Sequence, residues 1–254
     1  MGIDSTAAKG FSAGAGAYER ARPAYPPEAV RHLIRRLAIG PFSRVLDLGA
    51  GTGKLTALIT PTRAEVLALE PVGEMRGRLA TALPGVEVVA GAAEAIPLAD
   101  GSIDVVVAAQ AFHWFDGRRA LAEIHRVLTR GGGLGLVWNA RDHSVGWVSE
   151  LSAIVDAYGD AIRRHESGAW RAAFASPSGF SQLEGAEFSN VQEVDEDQVV
   201  DRVASTSFIA MLPEDERSQV LERVRALIRS HPDTSGREHF AFPHRTRVYC
   251  CNRV

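Results

Sequence analysis

Arg44-Val45-Leu46-Asp47-Leu48-Gly49-Ala50-Gly51-Thr52-Gly53-Lys54-Leu55 holds a strand, a glycine-rich turn and the start of a helix in one short run. Val45, Leu46 and Leu48 form an apolar stretch without polar alternation, the pattern of a strand covered on both faces in a parallel sheet. Gly49, Gly51 and Gly53 then allow backbone conformations closed to other residues. They bring amide N–H groups close to a ligand at the first turn of the next helix. The run marks a nucleotide-type pocket.

Spacing narrows the ligand. A phosphate-cradling P-loop requires glycine five residues before its Gly-Lys pair and Ser or Thr after it; Leu48 and Leu55 stand there instead. A dinucleotide fingerprint puts its third glycine three residues after the second, and Gly53 comes one residue early. Asp47, two positions before the first glycine, repels a pyrophosphate and attracts an ammonium group. Glu65-Val66-Leu67-Ala68-Leu69-Glu70 reads as a second buried strand ending in a carboxylate, and Pro71 keeps Glu70 out of a helix. A carboxylate at that tip chelates two ribose hydroxyls, each such bond contributing roughly 1.5 to 3 kcal/mol. NAD would be served by it equally well.

The run at 45–53, Glu70 at the second strand tip, and Gly91-Ala92-Ala93-Glu94-Ala95-Ile96-Pro97 before an Asp104-Val105-Val106-Val107 strand together resemble the class I S-adenosylmethionine-dependent methyltransferases. The resemblance implies a doubly wound, mostly parallel seven-stranded sheet with an antiparallel last strand. It implies that Asp47 with Gly49, Ala50, Gly51 and Gly53 holds the methionine end of S-adenosylmethionine, Glu70 and Pro71 the ribose, and Ala93 and Glu94 the adenine edge. Met75 and Gln110 complete that set. Ala92 stands where many relatives carry Asp.

At 254 residues the chain suits a single α/β domain and buries roughly 70 to 75% of its unfolded surface, so it needs no disulfide or metal staple. A net charge of −3 gives no general attraction to nucleic acid or anionic membrane. No apolar run approaches the roughly 20 residues that span a bilayer, and the start of the chain has no signal-peptide core. The expected compartment is the cytoplasm, the expected partner a small acceptor, and the expected assembly a monomer or homodimer. Cys250 and Cys251, adjacent in an apolar strand, read as packed thiols on opposite faces. The eight histidines show no metal-ligand spacing, and no metal is expected.

Residues 1–27 are expected to form a lid. The prolines of Tyr18-Glu19-Arg20-Ala21-Arg22-Pro23-Ala24-Tyr25-Pro26-Pro27 stiffen the backbone and present Tyr18, Arg22 and Tyr25 without helical periodicity. An aromatic-proline strap packed on the surface is the competing reading; the resemblance favours the lid. Residues 28–254 make the donor-binding domain, with a helical cap inserted at about 143–180. Periodicity predicts helices over 28–38, 54–59 (ended by Pro61), 73–82, 117–128, 198–208 and 214–229. Strands are predicted over 86–89, 103–109, 134–138, 191–194 and 245–251, with Arg130-Gly131-Gly132-Gly133 as a turn.

Two loops at the ligand edge carry further candidates. Ala109-Gln110-Ala111-Phe112-His113-Trp114-Phe115-Asp116 sets an imidazole among aromatic faces. Either these rings anchor the next helix with His113 hydrogen-bonded in the loop, or His113 faces the acceptor as base or orienting donor. Asn139, Arg141 and His143 follow the fifth strand; Arg141 suits a substrate carboxylate, or pairs with Asp142 or a neighbouring acid.

The expected activity moves a methyl group from S-adenosylmethionine to oxygen, nitrogen or carbon of a small acceptor, leaving S-adenosylhomocysteine. Alignment of nucleophile, methyl carbon and sulfur alone supplies roughly 7 to 11 kcal/mol of barrier lowering. His113 is the first candidate base, Tyr18 and His143 the next. Tyr25 and Trp114 shield the methyl group, and Arg22, Asn139 and Arg141 face the acceptor. The Arg-Pro-x-Tyr-Pro and His-Trp-Phe stretches are similar to those of trans-aconitate methyltransferases and, less closely, quinone methyltransferases. A nicotinamide oxidoreductase and a non-catalytic S-adenosylmethionine-binding protein are the rival readings.

Overall fold

The computed structural model describes residues 23–159, 165–175 and 179–254. Of the expected lid, only 23–27 lie among these residues; Tyr18 and Arg22 lie outside them. Seven strands form one sheet in the order β3-β2-β1-β4-β5-β7-β6. They are β1 (Arg44–Leu48), β2 (Glu65–Leu69), β3 (Glu87–Val89), β4 (Ile103–Ala109), β5 (Leu128–Arg141), β6 (Glu184–Val194) and β7 (Phe240–Asn252). Strands β1 to β5 pair in parallel, and β7 lies antiparallel to both β5 and β6. The expected doubly wound sheet with an antiparallel last strand is therefore present.

Helices cover both faces. α1 (Pro27–Arg36) precedes β1, and α2 (Lys54–Ile59), α3 (Gly73–Ala82) and α4 (Gly117–Val127) follow β1, β2 and β4. Leu33, Leu55, Ile59, Val105 and Val137 belong to the core under α1 and α2, whereas Leu46, Val106, Ile124 and Trp138 belong to the core under α4. Cys250 and Cys251 fall one in each core, both buried, and burial pushes their thiols up to about 11 and about 12. They are packed rather than reactive. A third core joins α5 (Gly146–Asp156) to α6 (Glu196–Ala204), α8 (Glu214–Ser230) and the Phe240 and Phe242 end of β7; the short α7 (Ser207–Ala210) adds Ile209. Among the described residues no helix is long and apolar enough to cross a membrane.

Several boundaries differ from expectation, each for a local reason. The triple glycine is not a turn after the helix. α4 stops at Val127 and β5 begins at Leu128, with Ile103 paired to Leu128 and Val105 to Gly133, so the glycines form a bulge. Gly135 is required by close approach: a Cβ there would meet Leu33 at 2.5 Å and Leu37 at 2.8 Å, so its absence lets α1 seat on β5. α2 itself runs Lys54–Ile59 as expected, and a short 3-10 turn over Thr60–Thr62 follows it at Pro61. β6 starts seven residues before the expected Val191, because an edge strand of Glu, Ser, Asn and Gln pairs through its backbone and shows little apolar pattern. β7 starts at Phe240 despite Pro243, which lies one residue beyond the last β5 pair, Arg141 with His244. The helix expected over 198–208 starts at Glu196, capped by Asp195 and Gln198, and breaks after Ala204.

Candidate functional site

The carboxyl ends of β1 and β4 flank the point where strand order reverses, the place where ligands bind in open α/β sheets. The loop leaving β1 takes left-handed backbone at Gly49, Gly51 and Gly53, with φ of 71°, 59° and 87°. Side chains rarely adopt such angles, and at Gly53 a Cβ would also meet Leu79 at 2.9 Å. The loop is tied to the tip of β2. Gly49 and Ala50 donate to the Leu69 carbonyl at 2.8 and 3.2 Å, and Gly51 donates to Oε2 of Glu70 at 2.9 Å. Oε1 of Glu70 accepts from Val72 at 2.9 Å, while Arg76 donates to the carbonyls of Glu70 and Pro71. Glu70 thus braces the loop through Oε2 and its own turn through Oε1, each oxygen retaining a lone pair for a ligand hydroxyl.

Asp47 is 1% exposed beneath this loop. Thr56, one turn into α2, donates its hydroxyl to Oδ2 at 2.6 Å, and Oδ1 has no partner among the described residues. Burial pushes the Asp47 carboxyl up to about 6, with the neighbouring Glu70 adding to the shift and Thr56 opposing it. Burial also raises Glu70, against the pull of the Val72 and Gly51 amides and Arg76. Two desolvated carboxylates, one with an unmet oxygen, make a site short of positive charge. Met75 lines it: its sulfur lies 3.9 Å from the Cβ position of Gly51.

The remaining candidates divide into those brought to the edge and those spent elsewhere. Ala93 is buried, and Glu94 accepts from the backbone of Asp116 at 2.8 Å, locking the 91–97 turn to the loop after β4. Gln110, the residue after β4, has φ of +55°, a strained angle for a non-glycine residue, fixed by its bonds to Val137 and Asn139 carbonyls. His113 accepts at Nδ1 from the indole of Trp138 at 3.0 Å, and its ring lies 5.0 Å from that of Trp114. His143 is exposed just past β5.

Three expectations shift. Asn139 uses its amide on the chain itself: it donates to the Pro23 and Ala24 carbonyls and accepts from Thr246 and Asn190, clasping the extended 23–26 segment to the sheet. Tyr25 is buried in the core that α1 covers, next to the clasped Pro23 and Ala24. Asp142 pairs with Arg245 at 2.7 Å instead of with Arg141, whose guanidinium bonds Ser152. Thr56 and Trp138 were not singled out from sequence. Thr56 reads as an ordinary helix residue, and Trp138 as strand core until its neighbour across the sheet edge is known.

An open cleft of about 630 Å³ lies at the opposite end of the sheet, lined by Asp100, His125, Arg126, Arg130 and Arg253. Arg126 is already bound to Glu123 and Asp100, and Arg253 donates to the Leu128 carbonyl, so that cleft is a braced strand junction. Among the described residues no group of three or more His, Cys, Asp or Glu is placed to hold a metal ion.

The sheet order, the left-handed loop and the carboxylate joining two strand tips define a Rossmann-like α/β protein with its ligand edge at the switch point. A family model described as a methyltransferase domain matches residues 46–136. An uncharacterised methyltransferase of Mycobacterium tuberculosis (strain ATCC 25618 / H37Rv) is 42% identical over 236 residues, covering 93% of this chain and 92% of that one. An uncharacterised methyltransferase-like protein of Schizosaccharomyces pombe is 34% identical over 242 residues, covering 95% and 94%. A proposed type II methyltransferase structure from Anaeromyxobacter dehalogenans shares the fold with a TM-score of 0.69 at 24% identity, covering 91% and 97%. The chain belongs to the class I S-adenosylmethionine-dependent methyltransferases.

Proposed function

We propose that this methyltransferase binds S-adenosylmethionine across the β1 and β2 tips and methylates a small acceptor over the ends of β4 and β5. The carrying observation is the pair of buried carboxylates joined through the glycine loop: Asp47 with an unmet oxygen, and Glu70 bonded to the Gly51 amide. Asp47 suits the ammonium of the donor's amino acid, and the remaining lone pairs of Glu70 suit two ribose hydroxyls. Ala93 and Glu94 border the adenine position, with Met75 and Gln110 closing the sides. The donor, when bound, supplies a methyl carbon activated by its sulfonium.

The chain's own contribution is alignment and exclusion of water. An indole N–H only donates, so Nδ1 of neutral His113 carries a lone pair and the ring proton sits on Nε2. His113 is therefore an orienting donor toward the acceptor in place of a general base. Trp114 and the turns at 165–174 wall the acceptor side. Two buried thiols and a modest negative charge accord with a cytoplasmic enzyme acting on a small molecule.

Calorimetry tests the reading. S-adenosylhomocysteine is expected to bind the wild type and to lose at least about a hundredfold in affinity when Asp47 and Glu70 are both alanine in a chain that remains folded by circular dichroism. Binding of NAD with no binding of S-adenosylhomocysteine would replace this reading with the oxidoreductase.

A further inference from the structure

A stack of rings sits beyond the donor edge, on the face of the sheet that carries α4. Trp138 is wholly buried, and His165 lies against it with ring centroids 4.4 Å apart and planes 28° from parallel. Trp170 packs on the same indole at 4.7 Å and Tyr249 at 5.9 Å. The Trp170 indole also donates to the His165 carbonyl at 3.2 Å, which locks the two short helical turns together.

Two groups in this stack are unspent. Nδ1 of His165 is buried, the residue being 7% exposed, and has no hydrogen-bond partner among the described residues. A buried polar atom in that state costs stability and calls for a ligand or a water. The guanidinium carbon of Arg171 lies 4.6 Å from the Trp170 ring centre and 4.5 Å from that of Tyr249, and no carboxylate pairs with it among the described residues. A guanidinium braced between two ring faces has surrendered its freedom before binding, and its edge N–H groups match a carboxylate two at a time.

The surroundings are short of negative charge. Arg247, His113 and Arg171 all bear on His165, and with burial as the leading cause they push its imidazole down to about 3. At physiological pH the ring is neutral and holds one N–H and one lone pair. Arg247 is paired with Glu187 at 2.9 Å, which leaves Arg171 as the unneutralised neighbour.

We propose that His165 and Arg171 form the anion-binding end of the acceptor site, so that the acceptor is a carboxylic acid lying along Trp138 toward His113. The inference rests on the methyltransferase reading above and names the substrate class for it. Trp138 sets the direction: its face carries His165 while its N–H points at His113, so a molecule anchored at His165 and crossing one indole reaches the loop after β4. Because Nδ1 is inaccessible in the closed stack, the turns bearing His165 and Arg171 lift off Trp138 when an acid enters.

The test uses the full chain saturated with S-adenosylhomocysteine, titrated calorimetrically with trans-cinnamic acid and decanoic acid and with the primary amide of each. At least one acid binds about tenfold more tightly than its amide. Arg171→Gln and His165→Phe each erase that preference without changing affinity for S-adenosylhomocysteine, and Arg171→Lys retains part of it. The imidazole ¹⁵N signals of His165 shift with the acid and stay put with the amide. Acids and amides binding alike, or a preference that survives both variants, overturns the anion site. Failure of S-adenosylhomocysteine to bind overturns the underlying reading instead.

Discussion

Trp138 decides what His113 is able to do. With the indole N–H occupying Nδ1 at 3.0 Å, the imidazole gains a second proton only by breaking that bond, so the neutral ring carries its proton on Nε2, the group that the proposed function turns toward the acceptor. The consequence is measurable. His113→Gln keeps a donor at about the same reach and is expected to hold the single-turnover methyl-transfer rate within about tenfold, while His113→Ala loses more. A base role would cost both variants roughly 10² to 10⁴-fold and give the wild type a histidine ionisation in its pH profile. Trp138→Phe tests the same point from the other side. It keeps most of the stacking surface, removes the N–H that fixes the tautomer, and is expected to slow single-turnover methyl transfer.

At the scale of elements, glycine placement carries predictions that sequence alone does not supply. Gly135→Ala puts a methyl group into the buried Leu33 and Leu37 of α1 and is expected to cost roughly 1 to 3 kcal/mol in chemical denaturation. Gly77→Ala, on the exposed side of α3 with nothing near its Cβ position, is expected to stabilise by up to about 1 kcal/mol. Equal effects would mean that propensity, not close approach, governs both sites. The same contrast explains what was legible. Parallel strands β1, β2 and β4 announce themselves as unbroken apolar runs because both faces are covered. β6 does not, because it is a polar edge held by β7, and the start of β7 is hidden by Pro243, whose missing N–H matters only where a strand pairs on that side. Asp47, Glu70 and the glycine loop were readable from local spacing. The Trp138–His113 bond, the Asn139 clasp and the His165 stack were not, since each joins residues 25 or more positions apart through side chains that no periodicity registers.

For the molecule as a whole, the buried Asp47 carboxyl with its unmet oxygen is a source of instability that a bound cation would relieve. Asp47 titrates near 6 when folded, against an ordinary 3.8, so the folded chain holds more protons between those values. Stability from this group therefore falls as pH rises from about 4 to about 6 and stays low above, by at most about 3 kcal/mol. His165 works the other way. Its folded value near 3 lies below the ordinary 6.5, so stability falls as pH drops through that window. Asp47→Asn separates the two, and the stability of wild type minus variant, measured by denaturation between pH 4 and 7.5, is expected to decline with rising pH. A flat or rising difference would show that folding does not raise the Asp47 carboxyl. An ammonium placed beside Asp47 favours the ionised carboxylate, so binding of S-adenosylhomocysteine releases a proton near pH 6. Its affinity is expected to strengthen about tenfold from pH 5 to pH 7 in the wild type and to stay level in Asp47→Asn. Level affinity in both proteins would place the amino-acid end of the ligand away from β1.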